Sequence, residues 1–94
     1  MKYKIYLGLN DKETKTQLIS TDEAYDKVYQ VVGDCSLQQI KGYYQGTKEN
    51  TLIVEKFADS TYNIKDVCKQ LAKAFNQECV IFETVETNGS FVYA

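Results

Sequence analysis

Histidine, arginine, proline and tryptophan are all missing from this chain of 94 residues. Without an imidazole, Ser-His-Asp and Cys-His nucleophilic catalysis and His-containing zinc sites are excluded. Without a guanidinium, the chain lacks the group that reads guanine bidentately and dominates duplex-binding stripes. Its 11 cations are all lysines and are outnumbered by 13 acids, giving a net charge of −2 and a pI near 5.0. That balance argues against direct nucleic-acid binding and is too weak for a mimic of DNA. Long apolar runs are missing too. The longest, Cys79-Val80-Ile81-Phe82, falls far short of the roughly 20 residues that a membrane-spanning helix needs. The 3 cysteines, Cys35, Cys68 and Cys79, are odd in number and unmatched in spacing. They read as reduced thiols of a cytoplasmic protein, with Cys68 and Cys79 expected at buried positions as small apolar groups. No activating base lies near them in sequence, so a nucleophilic or redox role is set aside.

What is present is ordinary globular material: 44% hydrophobic and 26% charged residues, enough for one domain spanning 1–94. Residues 3–9 alternate, with Tyr3, Ile5, Leu7 and Leu9 on one face and Lys4, Tyr6 and Gly8 on the other, which predicts a half-buried strand. Residues 10–16 are polar and read as a loop, and Gln17-Leu18-Ile19 as a short extended piece. Ser20 and Glu23 form a capping box, and Ala24, Tyr25, Val28, Val31 and Val32 make the apolar stripe of a helix over 21–32, ended by Gly33. Residues 37–45 and 51–57 are predicted strands of an antiparallel hairpin, joined by turn chemistry over 46–50. Ile64, Val67, Cys68, Leu71, Ala72 and Phe75 recur at helical spacing behind a cap at Ser60 or Asn63. A strand follows over 79–85. Asn88-Gly89 is a hairpin signal that would fold Phe91-Val92-Tyr93 back beside it.

The order β-α-β-β-α-β, with right-handed crossovers, predicts a ferredoxin-like α+β sandwich: an antiparallel sheet, two helices on one face, and a short C-terminal strand. The other face of such a sheet is open. Tyr6, Tyr43, Tyr44, Phe91 and Tyr93 are expected on or near it. A tyrosine ring buries amphipathic area at small entropic cost, so these residues read as a protein-binding surface. Glu49, Glu55, Glu83 and Glu86 would add charge complementarity toward a basic partner, which mainly speeds encounter. Ile5 to Asn10 is similar to a ribonucleoprotein motif, and Lys41-Gly42-Tyr43-Tyr44 faintly so to its companion, but the second lies on the wrong strand for base stacking. The carboxylate pairs Asp22/Asp26 and Glu83/Glu86 suggest neither a glycosidase cleft nor a metal site. No catalytic residue, metal ligand or cofactor is expected.

Three segments, Tyr3 to Leu9, the block from Gly42-Tyr43 to Glu49–Glu55, and Phe75 to Val80, resemble a family of small bacterial and phage proteins known as a domain of unknown function. That resemblance implies a fold and lends no catalytic residues. The Lys-rich, Arg-free composition is similar to that of proteins carried by low-GC Gram-positive bacteria and their mobile elements, where compact acidic domains are often inhibitors of host defence, anti-CRISPR proteins included. The leading expectation is therefore a non-enzymatic inhibitor that occludes the surface of a host defence nuclease or complex and engages no membrane. A single-stranded RNA-binding domain, a small His-independent enzyme and a homodimer through the open face are the alternatives.

Overall fold

The computed structural model describes residues 1–86 and Val92; the expected strand over 91–93 lies outside the described residues. The elements are β1 (Lys2–Gly8), α1 (Thr21–Val32), β2 (Ser36–Tyr44), β3 (Thr47–Phe57), α2 (Ile64–Ala74) and β4 (Ile81–Val85). The four strands form one antiparallel sheet in the order β2-β3-β1-β4. This is the ferredoxin-like α+β sandwich that the pattern predicts.

Each helix forms where its cap and its stripe agree. The Ser20 hydroxyl accepts from the Glu23 N–H at 3.2 Å, and Asp22 and Glu23 place negative charge against the positive end of α1. Gly33 closes the helix at φ 79°, a conformation other residues adopt only with strain. For α2 the cap is Asn63, whose side-chain oxygen accepts from the Asp66 N–H at 3.2 Å. The stripes of both helices then cover the alternating apolar positions of β1 and β3. Ile5, Leu7, Val28, Leu52, Val54 and Leu71 are sealed from solvent, each burial contributing about 1.5–3 kcal/mol.

The hairpin and the last strand differ from expectation. The turn is only Gln45–Gly46, with φ 51° and 80°, the two positive values that match the twist of antiparallel strands. Lys48, Glu49 and Asn50 therefore pair with Tyr43, Gly42 and Lys41 inside the ladder. Lys48 is exposed, whereas Glu49 and Asn50 are half-buried and their polar ends are bonded, Glu49 accepting from the Asn10 N–H at 3.0 Å and Asn50 donating to Gln17 Oε1 at 2.7 Å. Gln39, Lys41 and Asn50 meet there through side-chain hydrogen bonds. Tyr43, which alternates with Leu37 onto the helix-side face, is 73% exposed. Strand β4 begins at Ile81, which leaves Cys79 exposed on the preceding junction. Cys68 is buried as expected. Gln17 makes a single antiparallel bridge to Asn10, all that forms of the extended piece. No helix among the described residues is long and apolar enough to cross a membrane.

Leu52→Ala should lower unfolding stability by about 2–5 kcal/mol in urea titration, because a sealed site cannot collapse around the void. Leu18→Ala, at a position 63% exposed, should stay within about 0.5 kcal/mol of the parent.

Candidate active site

The sheet face turned away from the helices carries the alternate members of every strand. Register places Gly42 beside Glu49, and Ile40 beside Thr51, which neighbours Gly8 in turn; Tyr6 lies between Ile53 and Ile81. A cavity of about 320 Å³ opens here, lined by these strands, by Asn10, Asp11, Lys12 and Lys15 after β1, and by Gln77, Glu78 and Cys79 before β4. This is within the range of small-molecule sites.

Its floor is low because two strand positions carry no side chain. A Cβ on Gly8 would lie 2.7 Å from both Cδ and Oε2 of Glu49, and one on Gly42 would lie 2.9 Å from Thr51 Oγ1. Glycine inside a strand marks close approach of another group, and at Gly8 that group is the Glu49 carboxylate. The Asn10 N–H donates to Glu49 Oε2 at 3.0 Å. Glu49 is half-buried and makes no ion pair with a lysine among the described residues.

The end wall is a clamp between two loops. Asp11 Oδ1 accepts from the N–H groups of Glu13 and Thr14 at 2.9 and 3.1 Å, shaping the turn, and Oδ2 accepts from Asn76 Nδ2 at 2.8 Å. These bonds, the one from Asn76 foremost, hold the Asp11 carboxyl below its ordinary pKa. The Lys12 N–H donates to the Asn76 carbonyl at 3.0 Å, and the Gln77 amide donates to the Asn10 carbonyl. Asn76 meets both demands in the left-handed region, at φ 48°, which asparagine tolerates better than most residues.

Two phenols stand over the floor. Tyr44 donates to Glu78 Oε2 at 2.8 Å, bridging the hairpin to the junction after α2. That bond, with some burial, pushes the Tyr44 hydroxyl up to about 12. Tyr6 donates to Glu83 Oε1 at 2.7 Å and is likewise raised, the bond to Glu83 contributing most. Both therefore remain O–H donors at neutral pH.

Of the residues expected at a binding face, Tyr6, Tyr44 and Glu49 converge on the cavity, and Glu83 supports Tyr6. Tyr43 stands at the rim with its ring under Lys48 Nζ, 5.9 Å from the ring centre. Glu55 is remote, paired to Lys2 at 3.2 Å. Glu86 is exposed just beyond β4, while Phe91 and Tyr93 lie outside the described residues. Gly8, Gly42, Asn10, Asp11, Gln77 and Glu78 were not legible as site residues, although two glycines on the open side of two strands were a usable signal.

The model of the S-adenosylmethionine lyase family matches residues 8–94. The chain belongs to the S-adenosylmethionine lyase family. Among solved structures it is similar to a phage SAM lyase in its apo state, at 20% identity and a TM-score of 0.69, over 86% of this chain and 75% of that one. No curated protein matches. Membership of an enzyme family overturns the expectation of a non-enzymatic, anti-CRISPR-like inhibitor and replaces the resemblance to a domain of unknown function; the enzyme alternative is the nearer one. The physical reason is that absent histidine and absent nucleophile-base pairs exclude only reactions that require them. A lyase adds no water, and where its substrate carries both nucleophile and leaving group it needs neither from the protein.

Glu78→Gln should return the Tyr44 phenol toward 10, detected as phenolate absorbance appearing earlier than in the parent on alkaline titration. The raised value means the Tyr44–Glu78 bond contributes its full stability below pH 10 and loses it as pH climbs from 10 toward 12. Identical titrations would show that the bond does not hold Tyr44 in solution.

Proposed function

We propose that this chain cleaves S-adenosylmethionine in the cavity by intramolecular displacement. The substrate's carboxylate attacks its own γ-carbon while the C–S bond breaks, giving homoserine lactone and 5′-methylthioadenosine. The sulfur keeps the electron pair of the broken bond; no water, oxidant or external base enters. The observation that carries this reading is the family match across residues 8–94, which takes in every cavity-lining residue but Tyr6.

The cavity suits such a reaction. Carboxylate and sulfonium neutralise one another at the transition state, so a site that strips water from both favours the transition state over the charged ground state. Ile40, Ile81 and the tyrosine rings supply that apolar boundary. A carboxylate placed against the sulfonium would stabilise a charge that the reaction destroys. Against the α-ammonium, whose charge persists, it holds substrate and transition state alike and frees the substrate carboxylate from its own ammonium. Glu49, with one donor and no lysine partner among the described residues, takes that place. Tyr44 and Tyr6, held as phenols, donate hydrogen bonds and do not serve as bases. Ring closure from a bound, folded substrate draws its rate from orientation, the largest contribution such a sparse site can make.

Incubation with S-adenosylmethionine in ¹⁸O-water should release 5′-methylthioadenosine and a lactone that carries no label when trapped early. Label on the γ-hydroxyl of homoserine would mean hydrolysis, and absence of either product would overturn the reading. Glu49→Gln should raise KM by roughly 10- to 100-fold, the loss of a hydrogen bond to a charged group.

A further inference from the structure

The geometry points to Gly8 as a positioning residue for Glu49: its bare Cα is the seat in which the carboxylate lies, and that seat aims it into the cavity. This inference rests on the reading of Glu49 as the partner of the substrate ammonium. Glu49 sits on β3 opposite Gly42, away from Gly8 by register. Its side chain nevertheless reaches across to β1, so that a Cβ at Gly8 would collide with Glu49 Oε1 and lie 2.7 Å from both Cδ and Oε2. No real Cβ tolerates such contacts. The Asn10 N–H, two residues on, completes the seat from the same strand end at 3.0 Å. Gly8 is not needed for a turn: it pairs regularly with Thr51 in the ladder, and it is absent from the positive-φ residues. The obstructing group is the far end of a flexible side chain and not backbone. Alanine at this position therefore leaves the sheet intact and expels the carboxylate from its seat. A glycine required for folding would behave in the opposite way.

The decisive measurement is calorimetric binding of two uncleavable ligands, with turnover of S-adenosylmethionine alongside. S-adenosylhomocysteine carries the α-ammonium; 5′-methylthioadenosine lacks it. Gly8→Ala should weaken S-adenosylhomocysteine roughly 10- to 100-fold and raise KM for S-adenosylmethionine to match, with 5′-methylthioadenosine affinity and melting temperature little changed. Combining Gly8→Ala with Glu49→Asp, which withdraws the carboxylate by one methylene, should recover part of the loss, although Glu49→Asp alone weakens the parent. That reversal of sign is a coupling between the two positions. Equal loss for both ligands, unchanged binding of both, or a double variant no better than Gly8→Ala would each overturn the seat while leaving the lyase reading standing. A parent protein that neither binds S-adenosylhomocysteine nor turns over S-adenosylmethionine would remove both.

Discussion

Asn76 sits where α2 hands the chain to β4, in a left-handed backbone conformation that presents its carbonyl and its amide to one loop across the cavity's end wall. The loop after β1 answers with the Lys12 N–H and the Asp11 carboxylate, and Gln77 adds a bond to the Asn10 carbonyl. Through Asn10 the clamp also reaches Glu49, because the Asn10 N–H is the donor on that carboxylate. Release of the clamp would free both loops that line one end of the cavity and would remove the reference point for Glu49. The sheet would survive, since its core residues lie on the other face. Fold and site thus depend on different interactions: the first on apolar burial beneath the helices, the second on a few polar bonds at one end of the sheet.

This separation suits the proposed displacement, which would ask little of the protein. When nucleophile and leaving group belong to one molecule, catalysis reduces to holding a folded substrate away from water. A floor lowered by two glycines, apolar walls, a carboxylate without a lysine partner among the described residues and two phenols kept protonated are adequate for that purpose. None of these parts has the sequence signature of a catalytic motif. The composition that excludes histidine chemistry is therefore compatible with an enzyme.

Much of the fold was legible because burial follows a strict period. Ser20, Asp22, Glu23 and the stripe to Val32 define α1 to the residue, and Tyr3, Ile5, Leu7 and Leu9 identify the inner face of β1. Element boundaries are least legible where burial stops. Lys48, Glu49 and Asn50 read as turn residues although they are strand, because polarity signals solvent, whereas Glu49 and Asn50 are half-buried and bonded to Asn10 and Gln17 from a distant part of the chain. Tyr43 and Tyr44 read as one aromatic pair, whereas successive strand residues must point to opposite faces. Cys79 reads as buried because it opens an apolar run, yet β4 starts two residues later and leaves it exposed.

From the amino-acid order alone came the element types, the sandwich, the inner face of each long element and the absence of imidazole chemistry, since all of these rest on local period and composition. The cavity was decided by tertiary structure. Asn10, Glu49 and Gln77 are far apart along the chain and meet only because β1 runs between β3 and β4, which brings the ends of three connections to one place. Gly8 becomes a seat only when a carboxylate 41 positions later lies across it, a relation between side chains that no window along one strand contains.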